Sequence, residues 1–127
     1  MLARQEFMPP LTVLALVSEL MMQSQVSAAG QRVGTTIHAA SSVDALLSAA
    51  ETAEPRLVIL DLSHPGLDIA KLVAKLKVLR PAATIIAFGP HVHKDRLAAA
   101  AAAGCDAVMS RGQFHAGMDE ILARDAV

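Results

Sequence analysis

A chain of 127 residues, 54% of them hydrophobic, is long enough for one domain with a real core and too short for two of ordinary size. A net charge of −1 gives no general attraction for nucleic acid or anionic lipid, and with no Trp or Tyr there is no aromatic platform for single strands. With one cysteine, no secretory signal and no bilayer-length apolar run, the sequence predicts a cytoplasmic protein with neither nucleic-acid nor membrane partners.

Short runs rich in apolar and β-branched residues predict five strands, at 11–17, 34–39, 56–61, 83–88 and 106–110. Segments with apolar residues at helical spacing follow them, at 19–30, 42–53, 67–80, 93–103 and 114–124. Ser42 is a favoured helix N-cap, Pro81 ends the third helix and Gly104 is a favoured residue after the fourth.

Strand and helix alternate five times, and the middle strands are continuous apolar runs. This order predicts a (βα)5 doubly wound α/β fold, a parallel sheet with helices on both faces. Ligands of such sheets bind at the carboxyl edge of the strands, where Asp61 is expected because it ends the third strand. Residues 1–10 are expected to be a mobile lead-in to a single domain at 11–127.

The stretch "RLVILDLSHPGLD" (56–68) resembles the third strand and following loop of response regulator receiver domains, the flavodoxin-like modules of bacterial two-component signalling. In that family the strand ends in the phosphoacceptor aspartate, and a loop with Pro and Gly follows, as with Asp61, Pro65 and Gly66 here. "AAGCDAVMSR" (102–111) resembles the family's fifth strand. The resemblance covers residues 10–124 and implies strand order 2-1-3-4-5, a stand-alone receiver and a role other than that of an enzyme.

The resemblance also implies where a metal would bind. Receivers hold Mg²⁺ with the phosphoacceptor and two acids after the first strand, but this chain has Val17 and Ser18 at those positions, followed by Glu19. Mg²⁺ requires oxygen ligands in near-octahedral geometry, and at these positions it would lose most of its charged ligands. No cofactor is expected, and Mg²⁺ enters only if Asp61 acts as a phosphoacceptor with Glu19.

Other residues around Asp61 are also of a different type from those of the family. Gly89 stands where a Thr or Ser bonds the phosphoryl group, and Val108 stands where an aromatic follows its movement. Arg111 replaces the family's Lys, and Ser63 lies in the loop after the acid. Because a guanidinium suits a carboxylate, we expect Arg111 to pair with Asp61 and neutralise it.

All histidines fall at or just after predicted strand ends: His38, His64, His91, His93 and His115. The last four follow strands that are neighbours in the family's order, so they are expected on one rim with Asp61. Imidazoles and a carboxylate suit Zn²⁺ or a similar metal. The alternative is that they are ordinary loop histidines.

A surface of small side chains points to protein binding. In receivers the fourth helix, fifth strand and fifth helix form the usual partner or dimer face, which here contains Ala98, Ala99, Ala102, Val108 and Phe114. Methyl groups permit close approach and lose little side-chain entropy on docking.

These observations favour a degenerate, stand-alone receiver that binds another signalling protein, a sensor kinase or an output protein, with phosphotransfer lost or atypical. A homodimer through the same face is a second expectation. Two alternatives stay open. One is a working phosphoacceptor in a phosphorelay that uses Asp61, and the other is a metal- or ligand-binding module that uses the histidine rim.

Overall fold

The computed structural model describes residues 12–124, with only the backbone of Arg124, so the lead-in at 1–10 lies outside the described residues. Its five strands are β1 (Thr12–Leu16), β2 (Thr36–Ala40), β3 (Leu57–Asp61), β4 (Thr84–Gly89) and β5 (Ala107–Ser110). They form one parallel sheet in the order β2-β1-β3-β4-β5. The predicted fold and strand order are therefore confirmed.

Burial along the strands follows their place in the sheet. Every residue of the central strand β3 is buried, because helices cover both of its faces. All four residues of the edge strand β5 are half-buried, and β2 at the opposite edge is mostly exposed. Apolar side chains that alternate along the strands feed two cores, one on each face of the sheet.

The helices are α1 (Leu20–Val33), α2 (Val43–Thr52), α3 (Ile69–Leu79), α4 (Lys94–Ala103), α5 (Arg111–Ala116) and α6 (Met118–Arg124). α1, α5 and α6 pack on one face, whereas α2, α3 and α4 pack on the other. As predicted, the Ser42 side chain caps α2, accepting a hydrogen bond of 3.1 Å from the backbone N–H of Ala45. Gly104 ends α4 in the left-handed conformation, φ 100°.

Two helix predictions need correction. α1 does not end at Gly30 but continues to Val33, and Gly34 caps it with φ 74°. The final helix, predicted at 114–124, starts at Arg111 and divides at Gly117 into α5 and α6. The start of α5 directly after β5 has consequences for the functional site, because it places Arg111 in a helix rather than a loop.

Among the helices between residues 12 and 124, none combines the length and the apolar composition that crossing a bilayer requires.

Gly30 allows α1 to lie close against β2. A Cβ at this position would stand 2.5 Å from Ile37 Cγ1 and 3.0 Å from the Thr35 carbonyl oxygen. We expect Gly30→Ala to lower the free energy of unfolding by about 1–3 kcal/mol despite its better helix propensity, because the strand must shift. Urea denaturation measures this change.

Gly112→Ala in α5 is the matched control. The nearest atom to its added Cβ would be Ser110 Oγ at 4.0 Å, so the helix propensity of Ala should stabilise the protein by up to about 1 kcal/mol. Equal stability of the wild type and Gly30→Ala would contradict the close packing of α1 on β2.

Candidate functional site

Asp61 ends β3 at the carboxyl edge of the sheet and is only 2% exposed. Its Oδ1 accepts a hydrogen bond from the backbone N–H of Ser63, with an N···O distance of 2.9 Å. Burial raises the pKa of Asp61 above its ordinary value, the Ser63 hydrogen bond and the positive charge of Arg111 oppose the rise, and the charge of Glu19 adds to it. The site therefore contains a desolvated acid whose charged form is disfavoured.

The loop after Asp61 turns the chain into α3. The His64 N–H donates to the Asp61 carbonyl at 3.2 Å, and Gly66 takes a positive φ of 68° that the turn requires. Asp68 then caps α3, its side chain accepting a hydrogen bond from the Lys71 N–H at 3.2 Å. This loop places Ser63 directly above the acid.

Arg111 does not pair with Asp61, and that prediction is wrong. Arg111 Nη2 lies 2.7 Å from Oε1 of Glu19 and donates a hydrogen bond to it. Glu19 is the N-cap residue of α1, so the ion pair joins the start of α1 to the start of α5. Arg111 acts on Asp61 only through space, as a nearby positive charge.

The position of Arg111 is fixed by the helix that it begins. The Ser110 side chain accepts from the Gln113 N–H, and the Gln113 side chain accepts from the Ser110 N–H, which together form a capping box. Phe114 stacks on Phe88 of β4 with ring centroids 4.2 Å apart. The Ser-x-x-Gln spacing was visible in the sequence and would have placed the helix start at Arg111.

The positions of the family's paired acids do not supply metal ligands. Val17 is fully buried in the core beneath α1, and Ser18 is exposed. Glu19 is bound to Arg111, and burial disfavours the anionic form of Asp61. Mg²⁺ requires oxygen ligands in near-octahedral geometry, so these residues do not fit the ion in the arrangement that the resemblance implies.

The end of β4 has no hydroxyl group facing the acid. A Cβ on Gly89 would lie 3.2 Å from the Cβ of Leu62, which is itself buried. A Thr or Ser side chain at this position would require Leu62 to shift slightly. Val108 is half-buried and packs against the core on the α2–α4 side of the sheet.

Among the described residues, the histidines and Asp61 do not form a metal-binding cluster. Nε2 of His64 contacts the Ser41 carbonyl oxygen at 2.9 Å, which ties the loop after β3 to the loop after β2. His115 lies within α5 and lines a separate hollow with Arg32 and Asp119, whereas His93 occupies the N-cap position of α4. Between residues 12 and 124, no three His, Cys, Asp or Glu side chains form a group that could hold a metal ion.

The predicted interaction face is only partly exposed. Ala98, Ala99 and Ala102 of α4 are at the surface, and Val108 is half-buried. Phe114 is fully buried, because it stacks on Phe88 inside the core, so it is not part of any surface. The face is therefore narrower than expected.

Solved receiver structures superpose on most of this chain. CheY4 of Vibrio cholerae, a chemotaxis response regulator, has a TM-score of 0.77 at 17% identity and covers 91% of this chain and 98% of its own. The receiver domain of NtrX from Brucella abortus has a TM-score of 0.76 at 21% identity, covering 88% and 95%. A response regulator protein from Burkholderia pseudomallei, solved with a phosphorylated aspartic acid, a calcium ion and citrate, has 0.73 at 18% identity, covering 91% and 73%.

No family model matches the chain, and no curated protein matches its sequence. The structural likeness is at low identity and shows the fold. This chain has the fold of CheY-like response regulator receiver domains.

Because burial raises its pKa, the ionised Asp61 carboxylate costs stability at neutral pH. The folded state binds this proton more tightly than the unfolded state, so the cost is present above the folded pKa and disappears as pH falls through it. Asp61→Asn keeps an acceptor for the Ser63 N–H but removes the charge. We expect it to raise Tm at about pH 7.5 by roughly 2–5 °C, the shift that about 1 kcal/mol gives in a domain of this size.

Thermal melts across the acidic range should show the difference shrinking as the wild type protonates. Glu120→Gln, at an exposed position of α6, is the control and should leave Tm unchanged. A lower Tm for Asp61→Asn at neutral pH would contradict the desolvation of this acid.

Cys105 lies beside Gly104 at the opposite edge of the sheet and is half-buried. Burial raises the pKa of its thiol to about 11, Asp106 adds to the rise and Lys77 opposes it. From the ordinary value of 9.0, this leaves about 100-fold less thiolate near pH 8. Alkylation by iodoacetamide should therefore be about 100-fold slower in the folded protein than in urea, and comparable rates would refute the shift.

Proposed function

We propose that this chain is a cytoplasmic receiver-type signalling module that acts by binding another signalling protein, with phosphotransfer lost or atypical. The observation that carries the proposal is the ion pair of Glu19 with Arg111, 2.7 Å between Oε1 and Nη2. This ion pair engages Glu19, the acid that follows β1, and Arg111, the cation that follows β5. While Glu19 is paired with Arg111, it does not join Asp61 as a second carboxylate ligand for a metal ion.

Two departures support the loss of ordinary phosphotransfer. Phosphoryl transfer relies on charge neutralisation by a metal, and the acid-pair positions hold Val17 and Ser18. Gly89 supplies no hydroxyl to bond a phosphoryl group, and a Cβ there would lie only 3.2 Å from the Cβ of Leu62. No enzymatic activity is proposed, because these departures remove the parts that would speed such a reaction.

Protein binding is the function that the remaining surface supports. A sensor kinase or an output protein is the proposed partner, and exposed apolar side chains flank the carboxyl edge where such a partner would contact the loops around Asp61. Leu20 is 80% exposed, Met21 68% and Val92 69%. Isolated exposed apolar residues are ordinary, but three beside one edge favour a contact surface.

The second candidate is a working phosphoacceptor in a phosphorelay. One observation favours it: Asp61 keeps the position at the end of β3, and Glu19 is close enough for its charge to raise the pKa of Asp61. If Arg111 released Glu19, two carboxylates would face one site. The Burkholderia pseudomallei response regulator, which was solved with a phosphorylated aspartic acid, has the same fold.

Incubation with a small phosphodonor and Mg²⁺, followed by intact mass spectrometry, separates the candidates. We expect no gain of a phosphoryl group by the wild type or by Asp61→Asn. A stoichiometric gain that Asp61→Asn abolishes would establish the phosphoacceptor instead.

Ser18→Asp is the matched test of the missing metal ligand. It adds a carboxylate at an exposed position after β1. We expect it to strengthen Mg²⁺ binding at least about tenfold in calorimetric titration, because Mg²⁺ affinity depends on the charged oxygen ligands available. Equally tight binding by the wild type would contradict the proposed loss.

A further inference from the structure

A groove of about 500 Å³ opens between α2 and α3, on the side of the sheet away from α1. Leu47 and Leu79 are half-buried in its walls, and Glu51 and Lys75 stand at its rim. Val78 lines the groove and is 82% exposed, the most exposed large apolar side chain in the described part of the chain. The exposed side chain of Val78 and the hollow between α2 and α3 therefore lie side by side on the same face of the protein.

The two helices carry opposite charge. α2 has Asp44 and Glu51 and no Lys or Arg, whereas α3 has Lys71, Lys75 and Lys77 and no acid. Between residues 12 and 124, no ion pair joins these helices. The charges of α2 and α3 can therefore pair with another surface that carries an acidic and a basic helix side by side.

Arg80, the nearest cation after α3, does not neutralise α2. Its Nε donates to the Ala50 carbonyl oxygen at 2.7 Å and its Nη2 to that of Glu51 at 3.0 Å, so it caps the helix backbone. The carboxylate of Glu51 remains exposed on the groove side.

We propose that this chain self-associates through the groove, with α2 of each copy against α3 of the other. Both helices return from one parallel strand to the start of the next, so they run side by side in the same direction. A two-fold axis parallel to the helices then lays the acidic helix of each copy on the basic helix of the other. Such a contact is isologous, and every favourable pairing in it occurs twice.

Glu51 and Lys75 line the same groove, so the two-fold axis brings Glu51 of each copy close to the partner's Lys75. Val43 and Lys71 line a neighbouring hollow, so Asp44, next to Val43, lies toward the partner's Lys71 at the other end of the face. Val78 enters the hollow beside the partner's Leu47. Opposite charges at the rim and apolar contact at the centre match the usual anatomy of a protein interface.

The small size of this face is typical of weak contacts. α2 and α3 have 10 and 11 residues, about 15 Å of helix each, and neighbouring helices are about 10 Å apart. The buried area falls at the low end of specific interfaces, about 1,000 Å² in total, so the dimer should be weak and reversible, with a micromolar Kd. This association does not depend on the proposed signalling function.

Sedimentation velocity of the whole chain at about 5 to 500 μM tests the proposal. We expect a reversible monomer–dimer equilibrium that weakens as salt rises, because exposed charges at the rim are screened. A strict monomer across this range at low salt would overturn the proposal.

Charge reversal locates the interface. Glu51→Lys alone and Lys75→Glu alone should each weaken the dimer at least about tenfold, because each places like charges together twice. An equimolar mixture of the two variants should restore it, since each copy then supplies the sign that the other lacks. Failure of the mixture to associate would refute the two-fold arrangement.

Ala102→Glu is the control for the competing face, since Ala102 lies on the exposed side of α4. It should leave the dimer intact, whereas Val78→Ser should weaken it. The opposite result would assign the contact to α4 and overturn the proposal. Far-UV circular dichroism of each variant verifies that the fold is retained, and all four positions are exposed.

Discussion

The ion pair of Glu19 with Arg111 decides the chemistry of the carboxyl edge of the sheet. Glu19 begins α1 and Arg111 begins α5, so the pair connects two helices that flank Asp61. Because the cation is engaged with Glu19, the buried acid is left with the hydrogen bond from Ser63 and with the positive charge of Arg111 acting through space. A partly exposed ion pair adds little to stability. The ion pair matters because Glu19 and Arg111 neutralise each other instead of acting directly on Asp61.

Packing beneath the edge supports that arrangement. Phe114 stacks on Phe88, which anchors α5 under the end of β4, and the Ser110–Gln113 capping box starts the helix at once after β5. Packing is also tight at Gly89, where an added Cβ would lie 3.2 Å from the Cβ of Leu62. Apolar contacts therefore pack directly beneath the edge where the fold commonly places a reactive site.

Charges that form no ion pair within the described residues lie on two helix faces. α2 is acidic, α3 is basic, and the groove between them exposes Val78. In the proposed signalling role and in the proposed dimer alike, the protein acts through surfaces that attract another chain. Binding through complementary charge and a small apolar centre gives weak, reversible contacts, which suit a signalling module.

The fold and the position of Asp61 were predictable from the amino-acid sequence, because apolar runs and helical periodicity depend on neighbours in the chain. The strand order followed from the resemblance to receiver domains, and the Ser42 and Gly104 helix ends were predictable because they are local. The contact of Arg111 with Glu19 rather than Asp61, and the stacking of Phe114 on Phe88, were visible only in the folded structure. Those contacts join residues far apart in sequence, 92 positions for the ion pair, and depend on where a helix begins and which way its side chains then face.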